Sequence, residues 1–495
     1  SPLRDVYKRQ HMDDTAPAPQ AGPAPATPVS YDRRHSWVPL SAEPMARGIV
    51  DFLGGPAGRF ARPRPHWMTP TRAVTAVAWV FLALGFLAKA NCAGGVRDEH
   101  GAVHLNWSGN RHYTSACYND IVPLFAGRGL DQGGFPYAFS WVEDGVNRYM
   151  EYPVLAGLFQ GAIAAVARAT HPLVVWVGIP AAGWYFALTA LTMSILWVAA
   201  ITLVMRLVGN RFWDTLLIAA SPLVIVHAFT NWDIPSIFCM VAAVFAFQRS
   251  RPGWAGFWIG IGTAVKLWPL YILGAYLVLA IRMKSWRPFS LMLGTAAVTW
   301  LAVNLPVALA YPAAWGEFFR LNSERSWEWT TVYALLARNT AFNLSPGVLN
   351  ALSFGLFAAL CLAILVVGLK ASRTPRVGEL IFLIVAAFLL VNKVWSPQYS
   401  LWLLIPAVLA VPRWRLITAW AWAEFAVWPL LMWHMLGTEN GGIPHELLDA
   451  AILVRDGLII AMVVLVLRQM RGRADDAVRR SHPDRPYSDP LQPVH

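Results

Sequence analysis

Immediately after Cys117 the chain reads Tyr118-Asn119-Asp120-Ile121-Val122-Pro123-Leu124, a carboxylate set against apolar neighbours. Partial desolvation there disfavours the charged form, which prepares Asp120 to act as a general base toward a hydroxyl. The motif continues with Gly127-Arg128-Gly129-Leu130, then Phe135-Pro136-Tyr137, then Glu151-Tyr152-Pro153. Further on stand Asn231-Trp232-Asp233, and a run of small residues from Gly256 that ends in Lys266-Leu267-Trp268-Pro269. Arg320 and Arg325 lie in one polar stretch, and Lys393-Val394-Trp395-Ser396-Pro397-Gln398-Tyr399 in another. Cations of this kind suit a phosphate whose charge grows as a bond breaks, and Lys266, Arg320, Arg325 and Lys393 are the candidates. Asn231, Asp233, Tyr137, Tyr152 and Gln398 are the candidate polar partners of a substrate. Asp233 also suits a helix N-cap.

Other chemistries lack their residues. No His or Cys cluster has zinc spacing, no glycine loop cradles a phosphate, no nucleophilic triad signature stands out, and Asp-x-Asp is missing from the first loop. Neither a metal nor a cofactor is expected, and the donor is treated as a substrate.

The elements that position these residues must be membrane helices. Of 495 residues, 56% are hydrophobic and 14% charged, which excludes a soluble globular protein. Apolar stretches of helix-spanning length recur from Ala73 to near Leu467, and about 12–14 spans are expected. The net charge of +12 follows from basic turns and tails rather than from a nucleic-acid-binding face. Arg249 and Arg251, Arg282 to Arg287, Lys370 to Arg376, Arg413 and Arg415, and Arg468 to Arg473 are read as cytoplasmic turns. The expected localisation is therefore the plasma membrane, multi-pass, with both termini cytoplasmic and the candidate site outside. The stretch 152–182 needs two crossings or none to keep this parity.

The expected organisation is a disordered N-terminal tail at 1–70, of which 1–11 look non-native, a membrane domain at 71–468, and a disordered tail at 469–495. Outer loops are expected at 92–151 and 311–346. Cys92 and Cys117 share the first loop, where a disulfide would form in an oxidising compartment. Glu424 and the pair Arg455-Asp456 are expected to pair structurally inside the bundle. The tryptophans Trp395, Trp402, Trp420, Trp422, Trp428 and Trp433 are read mainly as interface belts, a few of them able to stack on a sugar.

The succession of Asp120, Gly129, Pro136 with Tyr137, and Tyr152 with Pro153 resembles the family 87 glycosyltransferases, as do Lys266 and Pro269. That family includes the polyprenol-phosphate-mannose-dependent α-mannosyltransferases. The resemblance implies an all-α polytopic C-type (GT-C) glycosyltransferase fold, with Asp120 as the base. It implies transfer of a hexose such as mannose, or a pentose, from a polyprenyl-phosphate donor to a lipid or envelope-glycan acceptor. The stretches Phe318 to Arg325 and Lys393 to Tyr399 resemble an actinobacterial branch of that family. Partners would be membrane lipids and no nucleic acid. The rival reading from composition alone is a lipid or sugar transporter or flippase, which internal repeats would favour.

Overall fold

The computed structural model describes Met45, Ala46, Gly48 and residues 69–481. The expectations for the first tail, apart from those three positions and Thr69 and Pro70, and for residues 482–495 lie outside the described residues. The described chain is helical, with two small antiparallel hairpins: β1 (Gly95–Arg97) with β2 (Val103–Leu105), and β3 (Trp141–Glu143) with β4 (Val146–Arg148).

Helix starts follow local chemistry. In α1 (Pro70–Ala90) the Thr69 side chain accepts from the Arg72 amide, and Pro70 fills a first-turn position where no amide proton is needed. Two short helices follow in the first loop, α2 (Arg111–Thr114) and α3 (Ile121–Gly127). Next come α4 (Val154–Thr170) and α5 (Ala181–Val208). A broken pass is built from α6 (Leu216–Ala219) and α7 (Pro222–His227). Then come α8 (Ile234–Gln248), α9 (Pro252–Val265), α10 (Ile272–Met283) and α11 (Trp286–Ala310). The second polar stretch carries α12 (Pro312–Glu324) and α13 (Val332–Asn339). The remaining helices are α14 (Pro346–Lys370), α15 (Val377–Val391), α16 (Ser400–Ala410), α17 (Trp414–Met435), α18 (His445–Met470) and α19 (Ala477–Arg480).

The chain is a multi-pass membrane protein. Among the described residues six helices are long and apolar enough to cross a membrane: α1, α5, α11, α14, α17 and α18. Shorter apolar helices at 234–248, 268–283, 377–391 and 397–410 accompany them. Prolines and polar site residues break these passes, so helix length alone marks fewer spans than the hydropathy of the sequence does.

Several basic turns meet at one end of the bundle. Arg282 donates to the carbonyls of Gly368, Leu369 and Ala371, and Arg376 to those of Leu409 and Ala410. Arg211 pairs with Asp214 at 3.0 Å and donates to the Val408 carbonyl. Residues 469–481 depart from the expected disorder: α19 is held there because Asp476 caps it and pairs with Arg376 at 3.0 Å.

The first loop covers the other end. Cys92 and Cys117 are bonded, with Cα atoms 5.6 Å apart. Helix α4 begins beside Tyr152, and at its far end Arg168 still donates to the Leu130 carbonyl of the same loop. Arg97 likewise reaches the Trp176 carbonyl at 2.8 Å. The stretch 152–182 therefore starts and finishes at the loop end, which selects no crossing. Tight packing of α9 on α11 depends on Gly256 and Gly260, where a Cβ would stand 2.1 Å from the Met292 carbonyl oxygen and 2.6 Å from that of Ala296.

Candidate active site

The loop end holds a polar cluster where two helix starts and one helix end converge. Asp120 immediately precedes α3, and Asp233 immediately precedes α8. Neither carboxylate caps its own helix. The bland reading of Asp233 as an N-cap therefore fails, since both acids turn inward to other partners.

Asp120 Oδ1 accepts from the Tyr118 hydroxyl at 2.8 Å, and Oδ2 accepts from Asn231 Nδ2 at 2.7 Å. The Asp120 amide donates to the Thr230 carbonyl at 2.8 Å, which ties the first loop to the end of the broken pass. The same Asn231 amide donates to the Tyr152 hydroxyl at 3.0 Å, and the Asn231 carbonyl oxygen accepts from Lys266 Nζ at 3.3 Å. Lys266 pairs with Asp233 Oδ1 at 3.0 Å, an oxygen that also accepts from Trp402 Nε1 at 2.8 Å. Asp233 Oδ2 is buried with no hydrogen-bond partner.

Burial pushes the Asp120 carboxyl above its ordinary value, while the bonds from Asn231 and Tyr118 and the charge of Lys266 pull it back. The net direction is up. Tyr118 and Tyr152 are held neutral, because the Asp120 charge and burial both raise their hydroxyls.

Asp120 opens into a cavity of about 230 Å³. Tyr118, Arg325, Glu328, Gln398, Trp329, Trp395 and Trp428 share its wall. Of the residues singled out from the sequence, Asp120, Arg325 and Gln398 thus face one space. Asn231, Lys266, Asp233 and Tyr152 stand behind Asp120 as its hydrogen-bonded support.

The remaining candidates are placed differently. Arg320, expected at a phosphate, is engaged by Glu317 at 2.9 Å through Nε and points toward the Asn147 carbonyl. The ion pair arises because α12 sets Glu317 one turn earlier on the same face. Lys393 Nζ is spent on the Arg325 carbonyl, so it orders the backbone that carries Arg325. Tyr137 donates to the Tyr152 carbonyl at 2.9 Å, its ring against Gly157, where a Cβ would clash at 2.5 Å. Among the described residues no group of three His, Cys, Asp or Glu stands together as metal ligands would.

Sequence reasoning passed over several members of the cavity, Trp329 among them. Tyr118 was legible only as the neighbour of Asp120, two residues away. Glu328, which pairs with Arg325, carried no motif. The tryptophans also need correction: Trp395, Trp402, Trp420 and Trp428 are buried inside the bundle, whereas Trp422 and Trp433 are exposed as belt residues would be.

The model of glycosyltransferase family 87 matches residues 152–397. The match includes Tyr152, Asn231, Asp233, Lys266, Arg325 and Lys393, and begins after Asp120. Among solved structures, the crystal structure of ArnT from Cupriavidus metallidurans bound to undecaprenyl phosphate is similar at 14% identity and a TM-score of 0.40. That similarity covers 81% of this chain and 78% of the other. No curated protein matches the chain.

Proposed function

Residues 152–397 make this chain a member of glycosyltransferase family 87 and a membrane glycosyltransferase, and from that premise we propose that it uses a polyprenyl-phosphate sugar as donor. The sugar is a hexose, with mannose first, or a pentose; the acceptor is a lipid or an envelope glycan. The reaction runs at the extracytoplasmic face, within a C-type glycosyltransferase fold.

The observation that carries this reading is the half-buried Asp120 carboxylate opening into a cavity whose wall also holds Arg325 and Gln398. Asp120 takes the proton of the acceptor hydroxyl as that oxygen attacks the anomeric carbon. The bond from that carbon to the phosphate oxygen breaks, and its electron pair leaves with the polyprenyl phosphate. One displacement on one face inverts the anomeric configuration. Arg325, held in the cavity wall by its pair with Glu328, is the cation suited to the phosphate charge that grows during this step. Asn231 and Tyr118 orient the carboxylate.

Lys266 acts at one remove. Its charge is matched by Asp233, and it steadies Asn231 through the amide oxygen rather than lining the cavity. A divalent metal is not required, because a phosphate-linked sugar already carries a good leaving group.

The reading is tested by incubating the purified protein with radiolabelled decaprenyl-phosphate mannose and, separately, decaprenyl-phosphate arabinose, with total envelope lipid as acceptor. Consumption of one donor, with label appearing in a new lipid or glycan product, is expected. Label carried across a proteoliposome membrane with no transfer product would instead establish the transporter reading.

A further inference from the structure

Two buried cations lie outside the machinery described above, and they brace the cavity from behind. Lys89 in α1 and Arg455 in α18 are almost completely buried, and neither lines the cavity. Their surroundings repeat one pattern. Lys89 Nζ donates to the Tyr118 carbonyl at 2.9 Å and stands 3.7 Å from the centre of the Trp428 ring. Arg455 Nη2 donates to the Thr330 carbonyl at 2.6 Å, and its Cζ stands 3.6 Å from the centre of the Trp395 ring. Tyr118, Trp428, Thr330 and Trp395 all belong to the cavity wall.

Each cation thus holds one backbone carbonyl and one indole of the wall. The indoles are fixed in turn: Trp428 Nε1 donates to the Ala116 carbonyl at 2.7 Å, and Trp395 Nε1 donates to Ser400 Oγ at 3.3 Å. A cation inside a membrane helix bundle is costly and rarely kept without a use. Arg455 is balanced by Asp456 at 2.8 Å and Glu424 at 3.6 Å. The close partners of Lys89 are a carbonyl and a ring, which bind a cation without cancelling its charge.

We infer that Lys89 and Arg455 are positioning residues that fix the part of the cavity wall at Trp428 and Trp395 against which the donor sugar packs. The inference rests on the glycosyl-transfer reading and adds a division of labour. Asp120 governs the chemical step, whereas the two cations govern how well the sugar is held, through tryptophans they clamp from outside the cavity.

The test compares kcat, donor KM and unfolding midpoint for Lys89→Met, Arg455→Met, Arg455→Lys and the double variant Arg455→Met with Glu424→Gln, using decaprenyl-phosphate mannose or arabinose, whichever the wild type consumes. Each Met variant is expected to raise donor KM about tenfold with kcat within about threefold of wild type. Arg455→Lys keeps a cation against Trp395 and recovers most of the loss. The double variant removes the fully buried one of the two carboxylates that Arg455→Met leaves unmatched, so it regains much of the lost midpoint while KM stays high. Unchanged KM in folded Met variants, or KM restored in the double variant, overturns the inference. A wild-type protein that consumes neither donor defeats the transfer reading itself, and this inference with it; an active wild type with unaffected variants defeats only the positioning role.

Discussion

At the residue scale the account depends on an acid that is half-buried and hydrogen-bonded. Burial raises the Asp120 carboxyl above the ordinary carboxylate value near 4, and a base must be deprotonated to work. The rate therefore climbs with pH through this raised value, and the acid limb of kcat/KM is expected at higher pH than for an exposed aspartate. A pH profile with its acid limb at or below the ordinary range contradicts this. Tyr118→Phe removes a donor that favours the charged form. It should shift that limb to still higher pH and cost roughly tenfold in rate at neutral pH, the range set by one hydrogen bond to a charged group.

At the element scale, function depends on where helices stop. The Lys266–Asp233 pair joins the end of α9 to the start of α8, and Trp402 from α16 adds a third element. Asp233→Asn leaves Lys266 without its matching charge and is expected to destabilise the protein by about 3–5 kcal/mol. Denaturant unfolding in detergent measures this, and a second change, Lys266→Met, should recover much of the loss. Asp120, Asn231 and Lys266 were legible because each stands where an apolar run breaks, the position at which a polar residue needs an explanation. Arg320 misled because the sequence gives no hint that Glu317, one turn earlier, claims its guanidinium. Glu328 was illegible because nothing marked its pairing with Arg325, three residues earlier, as part of a site, and the brace of Lys89 because its partners lie in remote segments, so that Lys89 reads as a helix-end lysine free to reach water.

For the whole molecule, hydropathy and basic turns dictated a polytopic bundle, and Arg282, Arg376 and Arg211 cross-link one end of it. The parity of 152–182 was not legible, because α4 is apolar and of nearly spanning length yet lies with both ends at the first loop. The Cys92–Cys117 bond closes a loop of 25 residues that carries Asp120's approach from α1. Replacing both cysteines by alanine should lower stability by roughly 3 kcal/mol in the chain-entropy picture. The loss should appear as a lower unfolding midpoint, together with weaker transfer as the loop loosens.

The central claim is that one half-buried carboxylate removes the acceptor's proton. Its most direct test is the rate of label transfer by Asp120→Asn and by wild type, matched for unfolding midpoint and saturated with the donor the wild type consumes. The account predicts a loss of about 10²–10⁴-fold in kcat, and a folded Asp120→Asn protein turning over at the wild-type rate would contradict it.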